Sequence, residues 1–319
     1  MPSQRIPAFR RFQWLNSPKV VALLAAFLRP SERGRKGYGT VLLFRWLMYK
    51  QVMRCTYRDL ESVSGIDHST FVKFRKRMIT AYILPEIFAT LRDSLVAQCD
   101  VLKLIVDSSF VETYSKHDEE GSEYNGHKKA NGFKVHTVID HDTRLPVLQI
   151  ATPGARADVT LAHTLIERAP PFRPVTSLAA DKGYDSEAFV QEVKRKRDEA
   201  KVAIPLRKTN QEKVAGHPEG WLNRFMKSLP RNWDQKLRKS RTEIERYFSR
   251  KKGVFRLGEE KTRGLKSFEA NAYFTSIMEY LEYAAKLVAL FTRLPRGRGL
   301  FVVLISYVHI MAQSGFPIA

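Results

Sequence analysis

From residue 101 onward, apolar runs of strand length alternate with segments of helical periodicity, which restricts the middle of the chain to an α/β fold. Val101–Asp107 and Val175–Ala180 are short apolar runs. Gly132–Asp140 alternates, with Phe133, Val135, Thr137 and Ile139 on one side, and Leu145–Thr152 follows the turn His141-Asp-Thr-Arg. Asp158 can cap a helix to Arg168, Asp185 or Ser186 a second to about Arg197, and Lys201–Pro205 reads as a further strand. Three strands, helix, strand, helix, strand and a last helix predict a mixed sheet flanked by helices.

Residues 207–236 interrupt this order with Gly216, Pro218, Gly220, Pro230, Trp221 and Trp233, the composition of a loop-rich insertion. Ser267 can cap a long helix, Phe268–Phe291, that is apolar almost all round and is therefore expected in the interior. The run 300–310 is apolar but too short to cross a bilayer.

Upstream of residue 101 the periodicity is helical. A Gly-rich, charged loop at 30–39 precedes a helix over 40–53, with Leu43, Trp46 and Leu47 on one stripe. Thr56 can cap a helix to Val63, ended by Gly65. Asp67 or Ser69 can cap a third, Thr70–Met78, that buries Phe71, Phe74 and Met78 and shows Lys73, Arg75, Lys76 and Arg77. A helix-turn-helix fits this pattern, and an ordinary helical hairpin with a solvated basic face fits it equally well. Phosphate contact by these basic residues needs less geometry than base reading.

The 319-residue chain carries a net charge of +21, unevenly spread. Residues 101–200 hold 14 Lys and Arg against 16 Asp and Glu, while residues 1–100 hold 17 against 7 and residues 201–319 hold 23 against 10. A near-neutral centre between basic flanks suits a polyanion that reacts at its middle, and equally a basic nucleic-acid binder without catalysis. Cys55 and Cys99 form no CxxC and no disulfide framework, which suits a reducing cytosol. No run of 18 uncharged apolar residues offers a membrane span.

Asp107 and Asp181 each end an apolar strand candidate, and Glu245 lies on the helical stretch Arg241–Lys252. Short carboxylates at strand ends and a longer one on a helix can converge on a pair of Mg²⁺ ions, the device that cuts and joins phosphodiesters. Arg241, Glu245 and Lys252 share one narrow arc of their helix, and Ile244, Phe248, Lys251 and Phe255 form a packing stripe beside it. Glu243 points elsewhere and is expected in solvent. The basic run that includes Arg241, Arg246 and Lys252 exceeds what solubility requires and favours phosphate contact. Lys134 and His136 share a strand face, which either approaches the site or is solvated. Asp158 reads as a helix cap and Asp140 and Asp142 as turn residues. Trp221 and Trp233 read as packing before base stacking, and His136 with His127 or His163 matches no zinc spacing.

Several separated motifs carry a resemblance: Tyr57-Arg-Asp-Leu-Glu61, Asp67-His-Ser-Thr-Phe71, Gly132-Phe-Lys-Val-His136, Thr152-Pro-Gly154, Ala180-Asp-Lys-Gly-Tyr-Asp185 and Arg241…Glu245…Lys252. In this order, over roughly residues 35–290, they resemble bacterial insertion-sequence transposases of the DDE type. The resemblance implies a helical DNA-binding region at 1–98, a ribonuclease H-like catalytic domain at 99–292 and a tail at 293–319 of unassigned role. It implies Asp107, Asp181 and Glu245 as catalytic, metal-binding residues for Mg²⁺, with Mn²⁺ able to substitute. DNA contacts fall to Arg241, Lys252, Arg246, Lys73, Arg75, Lys76, Arg77 and Lys134. The partners it implies are terminal inverted repeats and target DNA, bound by a homo-oligomer in the bacterial cytoplasm at the nucleoid. Where some relatives have a Tyr three residues before the Arg of the last motif, this chain has Arg238. A catalytically idle or repurposed DNA-binding relative, and a nuclease without strand transfer, are the rival readings.

Overall fold

The computed structural model describes residues 18–27, 37–96, 101–113, 120–168, 174–196, 200–205, 231–259 and 263–293. Cys99, most of the insertion (207–230) and the tail lie outside the described residues, as does the side chain of Arg238. The chain divides into two compact units: Met1–Gln98 with Gly253–Glu260 and Ala270–Ala319, and Cys99–Lys252 with Lys261–Glu269.

The first unit is helical: α1 (Pro18–Phe27), α2 (Thr40–Met53), α3 (Tyr57–Ser64), α4 (His68–Thr80) and α5 (Ile83–Leu95). Two expected motifs mark helix starts here. Thr56 and Asp59 close a capping box at α3, which Gly65 ends in a left-handed conformation, and Asp67 caps α4 by accepting from Ser69 N–H. The helix α5 has no counterpart in the expected elements. Its buried stripe is Ile83, Leu84, Ile87, Phe88, Leu91 and Leu95, but no side chain caps its start. The long helix α9 (Leu265–Arg293) adds residues from Ala270 onward to this unit. There Phe44 meets Phe274 at 6.3 Å, and Phe88 meets Tyr273 and Tyr280 edge-on, each at 5.5 Å. Ser267, expected to cap this helix, lies inside it.

The second unit is built on a six-stranded mixed sheet of β1 (Leu102–Glu112), β2 (Glu123–Asn125), β3 (Ala130–Asp140), β4 (Pro146–Pro153), β5 (Val175–Ala180) and β6 (Lys201–Ala203). The path runs β2-β3-β1-β5-β6, with β4 also paired to β3. β1 is antiparallel to β3 and parallel to β5. The helices α6 (Asp158–Arg168), α7 (Glu187–Lys196) and α8 (Arg231–Gly253) complete the unit. Thus α8 begins within the stretch expected to be an insertion. Strand β1 also continues five residues past Asp107, because Ser108–Glu112 pair with Gly132–His136. Asp107 therefore lies inside a strand and not at its terminus.

Two expected glycine motifs have a steric cause. A Cβ on Gly132 would stand 2.3 Å from Val111 O, and one on Gly154 would stand 2.6 Å from Gly132 O. Only glycine lets β3 and the end of β4 approach their neighbours so closely.

Candidate active site

Register sets the two aspartates side by side. Val106 of β1 pairs with Ala180, the last residue of β5, and the next residue along the chain is Asp107 in the one case and Asp181 in the other. Both side chains curl back on their own backbone: Ser108 N–H donates to Asp107 Oδ1 at 2.7 Å, and Lys182 N–H to Asp181 Oδ1 at 2.7 Å. Residue 181 then caps a short 3₁₀ turn, Lys182–Tyr184, which buries Tyr184 beside the sheet.

Alternation across the strands sorts the surrounding side chains onto two faces. Asp107 faces with Thr137 and Gln149, which are paired through β3 and β4. On this face lies α8, anchored by its predicted stripe, of which Ile244, Phe248 and Lys251 are buried. Phe255, also buried, lies past the helix end and belongs to the first unit. The polar break in the stripe is satisfied, since Lys251 Nζ donates to Gln149 Oε1 at 3.1 Å and stands over the Tyr247 ring. Two further contacts fix the helix lengthwise. Arg241 Nη1 is 3.3 Å from Asp181 Oδ1, and Lys252 Nζ donates to the Phe110 carbonyl at 2.8 Å. Glu245 lies between these anchors on the same arc, one turn or about 6 Å beyond Arg241.

The carboxylate of Glu245 is exposed and not closed onto the aspartates. Among the described residues, only Glu61, Asp67 and His68 bring three such ligand atoms within 4.8 Å of one another. Local structure accounts for that group: His68 Nδ1 lies 2.9 Å from Glu61 Oε2, and Asp67 is the α4 cap.

Burial pushes the Asp107 carboxyl up to about 6, opposed by the Ser108 N–H, with the charge of Asp181 adding to the rise and Arg241 lowering it. Burial likewise lowers the Lys252 ammonium, aided by nearby Lys128. The Asp107 and Asp181 carboxylates are themselves hard oxygen ligands. Thr137 Oγ1, opposite Asp107 in the ladder, is buried with no hydrogen-bond partner among the described residues. Such a donor set suits a hard divalent cation.

The opposite face carries a polar group that the sequence did not reveal. Ser108, Lys134 and His136 share it, and Asp158 at the start of α6 meets all three. His136 is fully buried, with Nε2 3.0 Å from Thr152 Oγ1 and Nδ1 3.3 Å from Tyr184 Oη. Burial lowers this imidazole to about 4, so it is neutral, and burial raises the Tyr184 phenol. That Lys134 and His136 share a face was visible from the strand period. Their acidic neighbour, 24 and 22 residues further on, leaves no periodic signal.

Three expected roles change. Arg75 is buried in the first unit, with Nη2 donating to Asn271 Oδ1 at 2.8 Å, so it does not face phosphate. Lys134 donates to Arg156 O and Asp158 Oδ1 and is drawn inward. Glu243 is largely covered, paired with Arg144 at 2.6 Å and with the exposed Arg246 at 2.7 Å. Lys73, Lys76 and Arg77 do stand exposed on α4.

A family model described as transposase DDE domain matches residues 102–279, more than half of the chain. No curated protein matches. Among solved structures, the piggyBac transposase synaptic complex with hairpin DNA is similar at 10% identity, with a TM-score of 0.54 over 97% of this chain and 80% of that one. The Mos1 transposase paired-end complex with left transposon end aligns at 9% identity over 70% of this chain and 82% of that one, with a TM-score of 0.21, too low for a fold argument. Among the described residues, no helix is long and apolar enough to cross a membrane.

Proposed function

As this chain belongs to the DDE-domain transposase family and is thereby a DNA transposase, we propose that Asp107, Asp181 and Glu245 are its catalytic carboxylates. The observation that carries this is the placement of Asp107 and Asp181 one residue beyond the paired Val106 and Ala180 of neighbouring parallel strands, with Arg241, from the helix that bears Glu245, against Asp181. Mg²⁺, or Mn²⁺ in its stead, would be held by these three groups. Bound there, divalent ions supply activation of an attacking oxygen and stabilisation of a leaving one. The remaining work falls to the chain. Arg241 and Lys252, on one arc of α8, hold phosphate oxygens beside the scissile bond. Lys73, Lys76 and Arg77 on α4, with Arg246 on α8, grip the duplex through its backbone. Glu245 would complete the ligand set from the arc of α8 that it shares with Arg241 and Lys252, where its side chain is exposed.

The substrate that fits is double-stranded DNA at the terminal repeats of an insertion sequence, cut to free a 3′-hydroxyl that then attacks target DNA. Action as a multimer on paired ends follows from the same reading. A cleavage and strand-transfer assay on flanking terminal repeats tests it. Asp107→Asn, Asp181→Asn and Glu245→Gln should each lose metal-dependent cleavage while retaining DNA binding. Full activity in any of the three refutes the site. Cut ends without joined target would mark a nuclease, and no product from the parent protein would mark an idle DNA-binding relative.

A further inference from the structure

Asp158 touches the chain just beyond both proposed ligands, from the other side of the sheet. Its Oδ1 accepts from Ser108 Oγ at 2.8 Å and from Lys134 Nζ at 3.2 Å, and lies 3.6 Å from His136 Nδ1. Lys134 Nζ also donates to the Arg156 carbonyl at 3.0 Å, a second contact that favours this placement of the cation. On its other side Asp158 abuts the turn after Asp181: a Cβ on Gly183 would stand 2.9 Å from Oδ2. Glycine in the Asp181-Lys-Gly-Tyr segment therefore makes room for this carboxylate.

The two contacts bear on the ligands through the backbone. Ser108 supplies the N–H that Asp107 Oδ1 accepts, and Lys182, the neighbour of Gly183, supplies the one that Asp181 Oδ1 accepts. Side chains alternate across β1, so Asp158 and Asp107 occupy opposite faces, and Asp158 does not take part as a ligand.

We propose that Asp158 is a positioning residue, which ties the strand just past Asp107 to the turn just past Asp181 and so fixes the separation and aim of the two metal carboxylates. The proposal rests on the metal-site reading above. A residue with only a helix-capping role would stabilise α6 and leave metal affinity alone. A brace would set metal affinity, where supporting partners of this kind are worth about 10–100-fold.

The test uses the full chain without DNA. Mn²⁺ binding is measured by electron paramagnetic resonance, and folding by circular dichroism and thermal melting. Asp158→Ala and Ser108→Ala should each weaken Mn²⁺ binding by about 10–100-fold, and the double variant should be no weaker than the worse single one, because both remove one link. Gly183→Ala should weaken binding in the parent but have no further effect in Asp158→Ala, where the added methyl meets no carboxylate. Folded Asp158→Ala or Ser108→Ala with Mn²⁺ affinity within about threefold of the parent, well under the range expected for such partners, overturns the brace, as do multiplicative losses in the double variant. Asp107→Asn is the control. If it too leaves Mn²⁺ affinity unchanged, the metal site itself fails. If it abolishes binding while Asp158→Ala does not, only the brace fails.

Discussion

Replacing Asp107 by asparagine deletes a charge that burial in the fold holds at a disadvantage. Burial carries this carboxyl from its ordinary 3.8 to about 6, with Asp181 adding to the rise. A folded pKa above the unfolded one favours the neutral form. The associated stability is fully present below pH 3.8 and is lost as pH rises through 6. At pH 8 the displacement corresponds to at most about 3 kcal/mol, and at pH 4 to about 0.6 kcal/mol. The partial exposure of Asp107 lowers the expected value at pH 8 to about 1–2 kcal/mol. Asparagine keeps the shape and the oxygen that accepts the Ser108 N–H, so little else changes. In the presence of a chelator, Asp107→Asn should therefore unfold in urea at a higher midpoint than the parent at pH 8, with the gain shrinking toward pH 4. Added Mg²⁺ should stabilise the parent by mass action and leave the variant unmoved. A variant less stable at pH 8, or a gain independent of pH, would refute the argument that Asp107 is strained by its surroundings.

Neighbouring lysines on α8 should separate structure from function. Lys251→Ala deprives buried Gln149 of its donor and should cost about 2–4 kcal/mol in urea unfolding, whereas Lys252→Ala removes only the solvent-accessible bond to the Phe110 carbonyl and should cost less, about 0.5–1.5 kcal/mol, while lowering strand cleavage. On α4, Lys73→Ala and Lys76→Ala should each weaken DNA binding and reduce the slope of log affinity against log salt by about 0.9. Arg75→Ala should instead act on folding, at about 1–3 kcal/mol, because it removes a buried donor from Asn271. His136 titrates in the opposite sense to Asp107. With its folded pKa depressed from 6.5 to about 4, its contribution is present above pH 6.5 and lost as pH falls through 4. His136→Gln should flatten that acid limb of stability, followed by urea midpoints between pH 7 and 4.

Local periodicity and capping chemistry were legible from residues alone. The helices Thr40–Met53 and Asp158–Arg168 and the strand Val175–Ala180 have the expected bounds. Of the expected stripe Ile244, Phe248, Lys251, Phe255, the first three form a buried helix face because helical spacing is written within a few residues, while Phe255 is buried past the helix end. The same spacing placed Arg241, Glu245 and Lys252 on one arc. What periodicity could not give was any partner distant in sequence. The sequence shows Asp158 as a cap, but Ser108, 50 residues away, makes it a bridge. It shows Arg75 and Lys134 as free cations, but Asn271 and Asp158 draw them inward. The polar Asp107-Ser-Ser segment reads as the end of a strand, and only pairing with β3 carries β1 on to Glu112. Backbone conformation answers mostly to neighbours along the chain, so the sequence determined the elements and the acidic candidates. Charge pairing and burial answer to distance through space, so only the tertiary structure decided which of those charged groups meet and which stand exposed.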